Sequence, residues 1–165
     1  MTPKFICLHW SAGSYSYVSP RYHRTWDGAG NEYIQHRDSQ ALTNHTGGHN
    51  TDTLGYACAC MAGGQPLGPW PNPPLPVQVE AMCFGAALSA IRNNIPLDRA
   101  HIFTHAEIAN ELGYGLGSGH PETRWDFTAL TLKGMAKRQG GLELRNKIRW
   151  YYWKLTGRHW QGRRD

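Results

Sequence analysis

With 165 residues, 40% of them apolar and 18% charged, the chain can bury a core within one domain and is too apolar to be intrinsically disordered. No apolar run approaches the roughly 20 residues that span a bilayer, so a membrane-spanning helix is excluded. The net charge of +5 is lopsided: ten of the 17 Lys/Arg but only two of the 12 Asp/Glu follow position 132. A tail of that kind suits an anionic partner: nucleic acid, anionic lipid or a charged cell envelope.

The N-terminal "MTPKFICLHW" has too short an apolar stretch for a signal peptide and no small-residue cleavage site. The expectation is a protein made in a cytoplasm with no export address of its own. Within it, "KFICLHW" predicts a first buried strand, with Phe5, Cys7 and His9 on one face and Ile6 and Leu8 on the other. "SAGSYSYVSP" follows as a turn-rich loop. "YHRTWDGAGNEYIQHR" predicts a hairpin turning at "DGAGN". "TLGYACACMAGG" is a second apolar strand, ended by Gly63 and Gly64.

Six prolines between positions 66 and 76 exclude helix and central strand there, and predict an extended surface loop. A core helix is expected over about 77–94, since Val79, Met82, Cys83, Ala86, Ala87 and Ala90 recur at helical spacing. Phe84, Leu88 and Ile91 form a second stripe on it. "RAHIFTH" predicts another strand, and "WDFTALTLKGMAKRQ" a helix. Glu107, two residues after His105, reads as charging or capping the first turn of a helix.

The tail predicts a basic amphipathic helix over about 142–158. Leu144, Ile148, Tyr151 and Leu155 share one side, with Arg145, Lys147, Arg149 and Lys154 around the rest. Either that helix packs its aromatic side on the domain with its charges in water, or Trp150, Tyr151, Tyr152, Trp153 and the arginines meet an anionic envelope surface. The alternation of strands and helices predicts a single α/β domain over 1–165, built on one central, mostly mixed sheet flanked by helices.

Cys7, Cys58, Cys60 and Cys83 have neither zinc-finger spacing nor a Cys-x-x-Cys pair, and read as buried free thiols. Cys58 and Cys60 are expected on one strand face. The nine histidines carry more information. His9 closes the first strand in "ICLHWSAG", and His105 closes a later one in "HIFTHAEI". Strand ends beside loops are where a rigid scaffold displays reactive groups. A third ligand would complete a catalytic zinc site, which keeps three protein ligands and leaves a position for water.

The succession "HWSAG", "RYH", "NHTGGHNTDTLGYACACMAGG" and "THAEIA…PETRWD" resembles the N-acetylmuramoyl-L-alanine amidases. More narrowly, it is similar to short phage endolysins of the zinc amidase type related to peptidoglycan recognition proteins. The resemblance runs from about residue 4 to about residue 130. It implies a peptidoglycan-recognition-protein-like fold, Zn2+ as cofactor, bacterial peptidoglycan as partner, and His9, His105 and Asp126 as metal ligands. Tyr22 of "RYH" and Arg124 of "RWD" take the positions of catalytic groups. His45 and His49, flanking "TGG", either line a substrate groove or are exposed loop residues. Trp10 is a sugar or peptide platform, or core.

Three departures accompany the resemblance. Arginine stands at position 124, where the family often has lysine. The strand "LGYACAC" lacks the glutamate some relatives use, which points to the tyrosine-using branch and leaves the general base unassigned. The span from His105 to Asp126 is long, and it leaves His120 of "SGHPE" as a rival third ligand. The residue types suit amide hydrolysis on their own terms. Zinc lowers the pKa of bound water to about 7 and polarises a carbonyl. A permanently charged Arg124 stabilises the oxyanion but shuttles no proton, and Tyr22 donates a hydrogen bond to the same oxygen or orients water.

The expected function is cleavage of the amide between N-acetylmuramic acid and the L-alanine of the stem peptide, by a phage endolysin. Without a signal peptide it would accumulate in the host cytoplasm and reach the wall through a membrane-permeabilising partner. A cytoplasmic muropeptide-recycling amidase and a non-catalytic peptidoglycan-binding module are the alternatives. Specific nucleic-acid binding is not expected, since it gives no reason for "HWSAG" or "ETRWD".

Overall fold

The structure, a computed structural model, describes residues 2–40, 44–130 and 138–162. Its elements in chain order are β1 (Phe5–Trp10), β2 (Arg24–Trp26), β3 (Glu32–Ile34), β4 (Thr53–Cys58), α1 (Pro76–Asn93), β5 (Ile102–Thr104), α2 (His105–Glu111), β6 (Ala129–Leu130), β7 (Arg138–Gln139) and α3 (Gly140–Thr156). Five strands form one sheet in the order β3-β2-β4-β1-β5. β4 and β5 run parallel to β1, β2 runs parallel to β4, and only the β2–β3 hairpin is antiparallel. The expected α/β architecture on a mixed sheet is therefore present.

Strand alternation decides what each sheet face receives. In β1, Ile6, Leu8 and Trp10 join Leu54, Tyr56 and Cys58 of β4 in the main core. Val79, Met82, Cys83, Ala86, Ala87 and Ala90 of α1 and Leu144 and Ile148 of α3 belong to the same cluster, all of them buried. Gly85 lets α1 approach this face, since a Cβ there would overlap Trp26. The opposite face carries Cys7 and Phe103, packed with Ile108 of α2 and Phe5. His9 shares the side of Cys7.

α1 begins at Pro76, a residue with no amide hydrogen to lose at a helix start, and ends on Asn94 in the left-handed conformation (φ 54°). Gln78 accepts from Leu75 N (3.0 Å), and its amide donates to the carbonyls of Trp26 (3.1 Å) and Ala59 (2.9 Å). The second apolar stripe is not core as expected: Phe84 is 41% exposed, with its edge against Tyr151. Cys60 lies beyond the end of β4, although it is buried like Cys58. All four thiols are free and buried.

Two further expectations change. The helix expected over 125–139 is replaced, where the chain is described, by a turn and the short β6–β7 ladder, with residues 131–137 outside the described residues. Two local features explain this. Phe127 sits at φ 56°, which no helix accommodates, and Gly140 lets the start of α3 approach so closely that a Cβ would overlap the Phe127 carbonyl.

α3 is present at Gly140–Thr156 and packs on the domain, but its charges are not simply solvated. Arg145 is 2% exposed and makes a bidentate pair with Glu107 (2.8 and 2.9 Å) while donating to the Ile102 carbonyl (3.1 Å). Lys147 bonds Glu80, and Arg149 donates to the Leu97 carbonyl and lies over the Trp160 ring. Leu155, expected on the packed side, is 42% exposed. Among the described residues, no helix is long and apolar enough to cross a membrane.

Candidate metal centre

His9 is the penultimate residue of β1 and points to the face that α1 does not cover. It is fully buried. His105 is the first residue of α2 rather than the last of β5. Thr104 caps that helix by accepting from Glu107 N (3.2 Å), and Glu107 accepts from Thr104 N (2.9 Å). This capping box satisfies the free amides of the first turn and fixes the imidazole beside β1. Glu107 thus caps the helix, as expected of it, and lies outside the cleft.

Asp126 arrives from the loop before β6. Its carbonyl accepts from Ala106 N (3.3 Å), and the next side chain, Phe127, is buried against Trp10 at 5.2 Å between ring centres. The result is convergence across 117 residues of sequence. Asp126 Oδ2 lies 3.3 Å from His9 Nδ1 and 3.4 Å from His105 Nδ1. One ligand atom from each of the three residues lies within 4.8 Å of the others. Tetrahedral zinc with bonds of about 2.0–2.1 Å sets its ligand atoms about 3.3–3.4 Å apart, so both distances to the carboxylate have the length of a tetrahedral edge. The donor set of two imidazoles and one carboxylate could hold a metal ion.

The electrostatics agree. Burial lowers the His9 pKa to about 4 against the smaller opposing pull of Asp126, so the ring is neutral near pH 7. Burial alone would raise the Asp126 carboxyl. The His105 and His9 rings outweigh it and hold the group well below the usual carboxylate range. A neutral imidazole and an ionised carboxylate are the protonation states that metal binding requires.

His105 and Asp126, with His9 buried beside them, line a cleft of about 960 Å³ whose walls include Trp10, Tyr22, His45, Tyr114, Arg124 and Trp125. Tyr22 has its ring centre 5.0 Å from that of His9 and donates to the Trp10 carbonyl (3.4 Å). Burial first, then the Asp126 charge, raises its phenol far above the ordinary value, so it stays protonated and remains a donor. Arg124 is 40% exposed along its side chain, donates to the Glu122 carbonyl (3.1 Å) and pairs with the Glu122 carboxylate (3.5 Å). Its charge reaches both His9 and Tyr22.

Other residues singled out from the sequence separate in space. His120, the rival third ligand, is exposed at the cleft rim, 6.0 Å between ring centres from Tyr114, and is not part of the converging group. Trp10 is 3% exposed, packed edge-on to Trp125 (4.8 Å) and Trp70 (6.0 Å), so it backs the cleft wall. His45 is 5% exposed and touches the cleft from behind His9. His49 packs between Phe5 and Phe103, outside the cleft lining.

Three residues escape a sequence reading. Tyr114, in the "GYGLGSG" loop, donates to the Gly47 carbonyl (2.7 Å) and stands 3.5 Å from His105 Nε2. Trp125 is half-buried beside the metal-facing Asp126. Thr46 is fully buried, with its hydroxyl 3.2 Å from His9 Nε2. For Trp125 and Tyr114 the only hint was an aromatic residue beside a functional-looking motif, and for Thr46 there was none.

No protein-family model matches this chain, and no curated protein matches it.

Proposed function

We propose that the chain is a zinc-dependent peptidoglycan hydrolase with a peptidoglycan-recognition-protein-like fold. It cleaves the amide between N-acetylmuramic acid and the L-alanine of the stem peptide, in the manner of a phage endolysin. The observation that carries the reading is the meeting of His9, His105 and Asp126, the last two of which line a wide cleft. The order of "HWSAG", "RYH" and "ETRWD" along the chain supports the choice of bond and polymer.

His9, His105 and Asp126 would hold the ion. Zinc bound there supplies a nucleophile at neutral pH and polarises the scissile carbonyl. The chain's own residues do the rest. Tyr22, kept protonated by burial, donates a hydrogen bond toward oxygen that gains charge as the amide is attacked. Arg124 keeps a permanent positive charge at the same wall and answers the same developing charge without moving a proton. Trp125 and Trp70 offer half-buried aromatic surface to the apolar face of a sugar or peptide. A cleft of this volume has room for a segment of glycopeptide.

On this reading the enzyme acts on the host wall after release from the cytoplasm through a membrane-permeabilising partner. Digestion of purified peptidoglycan tests it, with products read by mass spectrometry after chelation and after zinc is restored. Stem peptides beginning with L-alanine, lost with the metal and recovered with it, are the expected result. Intact peptidoglycan in the presence of folded, zinc-loaded protein rejects the hydrolase and favours a binding module.

A further inference from the structure

His9 has two ring nitrogens, and only one faces Asp126. The other, Nε2, faces the segment between β3 and β4. There it lies 3.2 Å from Thr46 Oγ1 and 3.3 Å from His45 Nδ1. Thr46 Oγ1 is 2.8 Å from His45 Nδ1, and His45 Nε2 is 3.2 Å from the Thr53 carbonyl. These contacts form an unbroken chain from the metal-facing imidazole to the backbone of β4.

The chain has four contacts, counting His9 Nδ1 to Asp126, and three hydrogens to fill them, one each from neutral His9, Thr46 and His45. A metal ion at His9 Nδ1 takes the place of the missing hydrogen, and the direction of every bond then follows from the last member. A carbonyl only accepts, so His45 Nε2 carries a hydrogen. His45 is buried, and its bonded side-chain partners, Thr46 and His9, are not acidic, so it is neutral and its Nδ1 is a bare lone pair. The Thr46 hydroxyl therefore donates to His45 Nδ1. With its one hydrogen spent, Thr46 Oγ1 can only accept from His9, and His9 Nε2 carries the hydrogen. Run the other way, with His9 Nδ1–H donated to Asp126, the chain leaves His45 Nε2 and the Thr53 carbonyl as two facing acceptors.

The consequence lies at the other side of the ring. A neutral His9 protonated at Nε2 presents a bare lone pair at Nδ1, 3.3 Å from an ionised carboxylate oxygen. Two lone pairs at that separation repel, and a cation between them turns the repulsion into coordination. We propose that Thr46 and His45 are positioning residues: a directional relay that supports His9 as the Nε2–H tautomer, the form in which Nδ1 is free to take metal. The inference rests on reading His9, His105 and Asp126 as a metal site.

The fold is built around this relay. Asn50 Oδ1 accepts from the amides of both His45 (3.2 Å) and Thr46 (2.8 Å), which holds their backbone. Gly55, in the middle of β4, leaves the space His45 occupies, since a Cβ there would stand 2.8 to 3.2 Å from three ring atoms. His105 has a shorter counterpart. Tyr114 donates to the Gly47 carbonyl, which leaves its oxygen free to accept from His105 Nε2. Residues 45–47 thus terminate the outer bonds of both histidines. Groups behind a metal-ligating histidine fix its tautomer and orientation, and losing one typically costs about 10- to 100-fold in metal affinity.

The test uses full-length protein labelled with 15N at histidine, with and without zinc. Long-range 1H–15N correlation reports the tautomer of each ring, and zinc affinity is read by competition with a chromophoric chelator. Zinc-loaded wild-type protein is expected to show His9 and His45 both as Nε2–H. Thr46→Val keeps the shape and removes the hydroxyl; it should weaken zinc binding about 10- to 100-fold, while Thr46→Ser restores it. A zinc-loaded His9 protonated at Nδ1 would overturn the relay, as would a Thr46→Val protein with unchanged zinc affinity. Failure of the underlying site looks different: wild-type protein would then bind no zinc, or bind it equally well as Asp126→Ala, whatever its tautomers.

Discussion

The two faces of β1 are made by alternate residues of one six-residue strand, and they solve opposite problems. Ile6, Leu8 and Trp10 enter an apolar core closed by α1 and α3. There the physics is area removed from water and space filled without voids. Cys7 and His9 face the other way, toward α2 and the segment before β4. On that side His9, Thr46, His45 and His105 are at most 5% exposed, yet each is polar and each finds a bonded partner. Burial on the first face stabilises the chain. Burial on the second imposes a state, a neutral imidazole, that water would leave free.

That contrast is open to direct attack, and the largest effect is expected on the polar face. His9→Ala should abolish stoichiometric zinc binding, measured by metal analysis after gel filtration, while the far-ultraviolet circular dichroism stays native. Unfolding of the chain in place of selective metal loss would make His9 a structural residue instead. Next comes the buried pair that joins the two regions. Glu107→Ala takes the carboxylate away from Arg145, which is 2% exposed and keeps its bond to the Ile102 carbonyl, and should cost about 3–5 kcal/mol in urea denaturation. A cost below 1 kcal/mol would mean that water reaches the guanidinium.

Arg124→Ala should keep zinc affinity and lose about 10²–10³ in turnover on a soluble muropeptide, assayed at saturating substrate. Loss of zinc instead of turnover would move Arg124 from the reaction to the scaffold. The smallest change tests the apolar face. Ile6→Val removes one methylene from the core and should cost about 0.5–1.5 kcal/mol, with zinc affinity unchanged. A shift in zinc affinity there would show that the two faces communicate through β1.

Legibility from sequence followed the same division. β1, β4, the hairpin and α1 announce themselves because their signals are local: alternation, a turn at "DGAGN", helical spacing after a proline. The two histidines of the candidate metal centre were also readable, as polar residues at the ends of apolar segments. Local pattern failed where the partner is remote. Arg145 has the position of a solvated helix charge, and only Glu107, 38 positions away, makes it a buried one. Thr46 has no motif; its meaning comes from His9, 37 positions earlier. The helix expected after Trp125 failed for another reason: Phe127 takes a left-handed backbone that composition does not signal.

The Arg145–Glu107 pair also bears on where this protein can be cut. Resemblance to the amidases ends near residue 130, which invites a shortened version for display or fusion. Yet Glu107 belongs to the cap that starts α2 on His105, and its guanidinium partner is supplied by α3. A truncation near residue 130 would remove that carboxylate's bidentate partner, leaving Arg99 at 3.9 Å, and strip Leu144 and Ile148 from the core. The smallest working unit therefore includes the basic tail, and a tag belongs beyond Thr156 rather than in place of the helix.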